Sequence, residues 1–370
     1  VENYDVIIVG AGSAGLMSAR ELGRMGHKVL LLDRKTDLFS FSFNTLGSFI
    51  RLEDFDLSQD VVAREIGVIR MYSRRFERKF TYPVKILNKK KVHLELYNAL
   101  DTNNVKTLTG VYIKEFVQNE NGDLVKLIDQ NKNEYSGKIV IDASGTIGFL
   151  SRKLGLQPQK LEYATGVEYN VRYLGKPDEA HLFIGREFEG GYGWIFPLEN
   201  DRAIVGFGSN DEKIIKELKS RLDRILAMPA FKNLVAKDNE KCEGGTIPVS
   251  EVHTRFVKNN LVCIGDSVSQ VNPVVGEGYK FILESAVMAV KAIDEALKQN
   301  DNSLLKKYES DWSKRFLDNY NFSKYVQLKM FRYSKYDFLV DFLMIYSRIK
   351  DNNKFVKVLA GEYNRIRNKA

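Results

Sequence analysis

Six residues near the start of the chain, Gly10-Ala11-Gly12-Ser13-Ala14-Gly15, have the types and spacing to hold a pyrophosphate. Gly10 permits a tight turn. Gly12 removes the side chain where phosphate oxygens would approach the backbone, and Gly15 lets a following helix pack close to the preceding strand. A helix opening at Ser13 and Ala14 would aim free N–H groups and a partial positive charge at those oxygens. Asp33, 23 residues after Gly10, can accept hydrogen bonds from a ribose and would repel a 2′-phosphate. This pattern alone does not separate one dinucleotide from another.

A second set makes that distinction. Leu261-Val262-Cys263-Ile264-Gly265-Asp266 reads as a strand ending in Gly-Asp, followed by Asn272-Pro273-Val274-Val275-Gly276-Glu277-Gly278. Asp266 can hold a ribityl hydroxyl. The glycine loop and the helix after it can approach a flavin ring near N1 and O2, where the reduced ring carries negative charge. The two sets together imply FAD. A third set is aromatic: Tyr192, Trp194 and Phe196 alternate within residues 190–197, which end at Pro197, and so share one strand face. Such a face is either core or the wall of an apolar pocket. His93, His181 and His253 are scattered without ligand spacing, so no metal is expected, and Cys242 and Cys263 read as free thiols of a reducing cytosol.

The elements that must position these residues are visible in the hydrophobic pattern. Residues 4–9 read as a buried strand, 14–25 as a helix closed by Gly26, and 29–32 as a second buried strand: a βαβ unit. Residues 36–60 lack periodicity and read as a long loop. Residues 92–100 look helical, 105–127 read as a strand pair turning at 119–122, and 138–141 as a strand running into Asp142-Ala143-Ser144-Gly145. Short alternating strands follow over 160–262, interrupted by a helix at 211–227. A helix covers 278–299, and the last seventy residues are helical and rich in aromatics.

The fold class expected is α/β: a Rossmann-like FAD-binding domain, an antiparallel-sheet substrate domain and a helical C-terminal tail. The cofactor domain would be discontinuous, from 1–75, 92–155 and 262–298. The substrate domain would span 160–261 with 76–91, and the tail 300–370. With 44% hydrophobic residues the chain can bury more than one core. No apolar run is long enough to span a membrane, and residues 6–9 are too short for a secretory leader, which points to a cytoplasmic protein. The net charge of +8 is spread over dispersed lysines, with one tight run at 89–91, and aromatics do not interleave with it as in a nucleic-acid groove. The aromatic and basic stretch 331–349 fits packing, a protein contact, or peripheral docking to a membrane.

Residues 5–15, Val140-Ile141-Asp142-Ala143-Ser144-Gly145, and Gly265-Asp266 with Asn272-Pro273 and Gly276-Glu277-Gly278 resemble flavoproteins of the geranylgeranyl reductase family, within the hydroxylase-type FAD superfamily. Gly190-Gly191-Tyr192-Gly193-Trp194-Ile195-Phe196-Pro197 resembles the aromatic motif of these reductases, and Gly244-Gly245-Thr246-Ile247-Pro248 also fits. The resemblance covers about residues 4–298. It implies FAD held by Gly10, Gly12, Ser13, Ala14, Gly15, Asp33, Arg34, Thr45, Gly47, Lys89, Val111, Gly145, Asp266, Pro273, Gly276, Gly278 and Tyr279. It implies a substrate pocket at Tyr192, Trp194, Phe196 and Pro197, with Tyr192 as a proton relay.

The activity implied is reduction of isoprenoid double bonds by hydride transfer from reduced FAD. The electron donor would be NAD(P)H or a ferredoxin-type carrier. Three departures stand out. The loop Phe41-Ser42-Phe43-Asn44-Thr45-Leu46-Gly47 lacks the family's cysteine, Lys89 replaces an arginine, and Lys280 occupies a position expected to be apolar. A flavin monooxygenase or halogenase, a redox-neutral cyclase and a flavin-binding scaffold are the alternatives.

Overall fold

A computed structural model describes residues 3–158, 160–236, 238, 241–251, 254–349 and 357–363. It is an α/β protein built on two sheets. Among the described residues the first sheet has eight strands. Its path runs Val257–Lys258, Leu261–Cys263, Glu134–Asp142, Asn3–Val9, Val29–Asp33, Val105–Thr109. The central pairings are parallel, with Val6 opposite Val29 and Ile8 opposite Ile141. These strands are apolar on both faces because helices cover both sides. Ile7, Ile8, Leu31 and Ile141 are fully buried.

The helix Ser13–Arg24 follows the first strand directly and packs against the helix Tyr279–Gln299. Gly15 makes this possible. A Cβ there would lie 1.8 Å from the Gly10 carbonyl oxygen. Gly10 itself has φ of +107°, and a Cβ would lie 2.3 Å from the Ala143 oxygen. Asp142 fixes the neighbouring turn: it is fully buried and accepts from the Ser144 hydroxyl at 2.6 Å and the Ser151 amide at 2.8 Å.

The second sheet has nine strands among the described residues. Its order is Val235–Ala236, Tyr163–Tyr173, Arg202–Ser209, Gly191–Pro197, Glu179–Phe183, Val62–Tyr72, Glu77–Asn88, Thr45–Ser48, with Glu243–Pro248 also on Tyr163–Tyr173. It is antiparallel except where Glu179–Phe183 runs parallel to Val62–Tyr72. Its own core, with Tyr169, Phe183, Phe207 and Leu222, forms a cluster separate from the first sheet's core.

Several expectations need correction. Residues 62–72 belong to the second sheet, not to the cofactor lobe, so a boundary at 75/76 cuts a hairpin. The twelve-residue strand Glu77–Asn88 pairs back along Val62–Tyr72 and forces both into one sheet. The loop at 36–60 contains the strand Thr45–Ser48, which gains its ladder from residues far ahead in sequence. Val105–Thr109 joins the parallel sheet, and the hairpin is instead Ile113–Gln118 with Leu124–Asp129. The helix at 211–227 is two short ones, Glu212–Ile215 and Leu218–Leu226.

The tail forms two helices, Lys306–Tyr333 and Asp337–Ile349. Trp312, Phe316 and Tyr320 bury against the first sheet's helices, with the Trp312 indole donating to Ser285 at 2.9 Å. Residues 357–363 return as a strap across the start of the helix Tyr279–Gln299. The Lys280 ammonium donates to the Ala360 carbonyl at 2.7 Å and pairs with Glu362, while Asn319 donates to the Val358 carbonyl at 3.0 Å. The strap explains the lysine at a position expected to be apolar. No helix of the described residues is long and apolar enough to cross a membrane.

Candidate functional site

Two cavities lie along the seam between the sheets. The first, about 190 Å³, is lined by Gly10, Gly12, Asp33, Arg34, Val111 and Gly145, among others. The strand ends of the parallel sheet converge there, as such sheets place their ligand crevices. Nothing lies within 4 Å of a Cβ built on Gly12 or Gly145, so the surface there is open backbone. Asp33 accepts from the Ala11 amide at 2.6 Å and the Lys35 amide at 2.7 Å, which ties the glycine turn to the second strand. Ser13 and Ala14 are buried in the first turn of the helix, behind this opening.

The second cavity, about 270 Å³, is lined by Thr45, Gly47, Lys89, Asp266, Gly276 and Tyr279, and by the aromatic face. Pro273 and Gly278 complete its floor. His93 and Phe41 stand at the boundary, their rings in edge contact at 4.7 Å. The His93 Nε2 meets the Tyr279 hydroxyl at 2.8 Å, and its Nδ1 is buried without a partner. Burial, reinforced by Lys89 and Lys35, pushes this imidazole down to about 3, so it is neutral. His181, in contrast, is satisfied by Tyr72 at 3.2 Å and Tyr173 at 2.9 Å. His253 lies outside the described residues.

The glycine loop 272–278 is held from three sides. Ser48 donates to Glu277 at 2.7 Å, Gln327 donates to the Pro273 carbonyl at 2.7 Å, and the Tyr192 hydroxyl donates to the Val275 carbonyl. Gly276 takes φ of +65°, and a Cβ would press on Ile247 at 2.6 Å. The strand Gly191–Pro197 alternates as its sequence demands: Tyr192, Trp194 and Phe196 face the cavity, and Gly191, Ile195 and Pro197 are buried. Pro197 therefore points away from the pocket expected for it. Because strand side chains alternate, the residue after Phe196 must turn to the opposite face.

Residues singled out less sharply, or not at all, prove central. Glu168 is 5% exposed and faces the cavity from the strand Tyr163–Tyr173, beside Ala164 and Gly166. Trp194 lines the same cavity, and the Glu168 Oε1 is buried without a partner. Burial pushes this carboxyl up to about 8, against the pull of Lys89. Glu277 is similarly pushed up by burial, to about 7, and its Oε2 is also unpartnered. Lys89, at the start of the helix Lys89–Asn98, is pulled below its ordinary value by burial, opposed by Glu168 and Asp266. Its ammonium sits 5.7 Å from the Phe43 ring centre. One feature of the sequence marks Glu168: a single acid follows two small residues on one strand face.

The donor set fits a flavin dinucleotide. Asp266 has a buried Oδ1 with no partner, which would otherwise cost on the order of 1–3 kcal/mol. Burial raises its carboxyl to about 6, and a hydroxyl donated to it would lower that again. The bare backbone at Gly12 and Gly145 gives a pyrophosphate room that no side chain fills.

Comparison with known proteins agrees with this geometry. The family model described as lycopene cyclase protein matches residues 5–354. The chain is similar to digeranylgeranylglycerophospholipid reductase 3 of Methanosphaera stadtmanae, 27% identical over 365 residues, covering 91% of this chain and 89% of that protein. It is 26% identical to the digeranylgeranylglycerophospholipid reductase of Thermoplasma acidophilum, over 85% of each chain. A solved geranylgeranyl bacteriochlorophyll reductase-like protein from Thermoplasma acidophilum superposes with a TM-score of 0.85 at 22% identity, over 100% of this chain and 98% of that one. The flavin-dependent brominase Bmp2 shares the fold with a TM-score of 0.73 at 17% identity, over 97% and 94%.

Proposed function

We propose, from the premise that this chain belongs to the lycopene cyclase protein family and is similar to digeranylgeranylglycerophospholipid reductases, that it is an FAD-dependent reductase of carbon–carbon double bonds in an isoprenoid lipid. The observation that carries this reading is the aromatic-walled cavity above the glycine loop, lined by Tyr192, Trp194 and Phe196, with a second apolar space sharing Tyr192 and Phe196 beside it. An isoprenoid offers little but apolar surface, and each buried CH₂ contributes about 0.8 kcal/mol.

In this reading Gly10, Gly12, Ser13, Ala14, Gly15, Asp33, Arg34, Val111 and Gly145 hold the adenosine and pyrophosphate end. Lys89 and Asp266 would meet the ribityl region, and Thr45, Gly47, Pro273, Gly276, Gly278 and Tyr279 would surround the ring. When bound and reduced by a separate donor, NAD(P)H or a ferredoxin-type carrier, the flavin supplies a hydride. The protein's residues do the rest. Tyr192, Trp194 and Phe196 lay the chain flat and exclude water. Tyr192 has its hydroxyl committed to the loop carbonyl, so the proton role passes to Glu168. A carboxylic acid kept protonated at neutral pH by burial can give its proton to the second carbon of the double bond. It takes the place left open by the missing cysteine. A lipid substrate also implies work at the cytoplasmic face of a membrane.

The test is anaerobic. The purified protein is loaded with FAD, reduced chemically and given a geranylgeranyl lipid. A gain of two hydrogens per double bond by mass spectrometry supports the reading. In a parallel aerobic assay, oxygen consumption with oxygenation or halogenation of an aromatic substrate would replace it. An isomerised product with no electron uptake would place the protein with the cyclases of its family.

A further inference from the structure

Thirteen large apolar side chains of the described residues are exposed, and eight of them lie within residues 325–346. On the helix Asp337–Ile349, Val340 and Met344 are 4% and 3% exposed and pack inward. The opposite face carries Phe338 at 69%, Phe342 at 62% and Ile345 at 41%. A helix in water turns its polar side outward, and this one does the reverse. Tyr325 and Tyr336, at 58% and 45%, extend the patch onto the preceding helix and the turn.

The rim of the patch is basic. Lys329 lies over Tyr325 at 5.7 Å, Arg332 over Tyr333 at 6.0 Å and Lys335 over Tyr336 at 5.1 Å. None of the three has an ion-pair partner among the described residues. Cations held along aromatic rings at the edge of an apolar face match the boundary between lipid headgroups and acyl chains.

Behind the patch lies an apolar cavity of about 550 Å³, with Tyr325, Leu343 and Tyr346 on its wall. A narrow space of about 80 Å³ shares Met71, Met330 and Phe331 with it, and shares Gly47, Tyr192 and Phe196 with the flavin-side cavity. Phe331 borders all three.

We propose that the face formed by Tyr325, Tyr336, Phe338, Phe342 and Ile345 docks on an anionic phospholipid bilayer and sets the apolar cavity behind it against the acyl chains. Charge complementarity at the basic rim and the apolar cavity behind the face point to this partner. This rests on the isoprenoid-lipid reading above and names where that lipid is met.

The experiment is vesicle flotation of the FAD-loaded protein. The probes are phosphatidylglycerol–phosphatidylcholine vesicles and pure phosphatidylcholine vesicles, at low and high salt. Binding is expected to be at least roughly tenfold stronger to the anionic vesicles and to weaken with salt. Phe338→Glu with Phe342→Glu should abolish it, and Arg332→Gln with Lys335→Gln should weaken it roughly tenfold or more. Unchanged flavin absorbance and circular dichroism verify that these exposed variants fold.

Reduction of a short, detergent-solubilised isoprenoid separates the two readings. The docking variants should reduce it at the wild-type rate while losing activity on lipid in vesicles. Vesicle binding by Phe338→Glu/Phe342→Glu equal to wild type would overturn the docking face and leave the reductase reading intact. A concentration-dependent dimer, abolished by the same variant in a protein that ignores vesicles, would also overturn it and assign the face to a second copy. Anionic vesicle binding by a wild-type protein that reduces no isoprenoid would support the docking face and refute the reductase reading.

Discussion

The two cavities along the seam are built from different material. The one at the strand ends of the parallel sheet is made of backbone: bare glycines, amides at a helix start, and one carboxylate holding the turn. The one under the second sheet is made of side chains: an aromatic wall, a cation and three acids contributed by segments scattered from residue 43 to residue 331. A backbone-made site is specified by where side chains must be missing, within a few consecutive residues. A side-chain-made site is specified by long-range pairing, and it is where substrate and proton chemistry can diverge between relatives.

The largest expected effects probe the backbone-made site. Gly10→Ala places a methyl group 2.3 Å from the Ala143 oxygen at a positive φ, so it should destabilise the fold itself, read as a large drop in melting temperature and in soluble yield. Gly12→Ala meets no protein atom within 4 Å. It should melt near the apo wild type yet retain far less FAD, by at least roughly tenfold, measured by fluorescence titration. Equal FAD affinity in Gly12→Ala would remove the pyrophosphate from that turn.

In the side-chain-made site the expected losses are chemical and not structural. Glu168→Gln should fold, keep its flavin and lose about 10²–10³ in the rate of double-bond reduction under single-turnover conditions. Glu168→Asp should recover part of that rate, which a purely structural role would not give. A rate within about twofold of wild type would mean the proton comes from elsewhere.

The pH dependence follows from the same residue. Unfolded, the Glu168 carboxyl releases its proton near 4.5; folded, it keeps it to about 8. The folded state binds more protons across that window, so stability falls as pH rises through it and the contribution is lost above about 8. Glu277 acts in the same sense up to about 7. Melting curves should decline between about pH 6.5 and 8 in the apo protein, with a shallower decline in Glu168→Gln; below 6.5 the buried neutral His93 acts in the opposite sense. The smallest effect belongs to Tyr192→Phe. It removes one hydrogen bond to the Val275 carbonyl, about 1 kcal/mol of stability, and should leave the rate nearly unchanged. A rate loss as large as that of Glu168→Gln would return the proton role to Tyr192.

This difference also sets what was legible in the sequence. The glycine turn, Asp33, the Gly265-Asp266 strand end and the loop 272–278 could be read because each is local and each glycine answers a local steric demand. The common face of Tyr192, Trp194 and Phe196 followed from strand alternation alone. Glu168 was passed over because nothing nearby in sequence tells that its strand lies across from Trp194. The hairpin 62–88 was divided between lobes because the pairing of Thr45–Ser48 with residues 85–88 is set by the sheet, not by local pattern. The aromatic and basic stretch 331–349 left packing and docking both open, because which side of its helix meets the protein depends on Met344 finding the second sheet.

The strap at 357–363 adds an order in time. Val358, Leu359 and Ala360 are nearly fully buried, and Leu359 lines the narrow space between the substrate-side cavities. These residues leave the ribosome after both sheets and the glycine turns at 10–15 and 272–278. The crevice for the dinucleotide can thus form and load while the start of the helix Tyr279–Gln299 is still uncovered. Lys280 and Asn319 then latch the strap in place over the start of that helix.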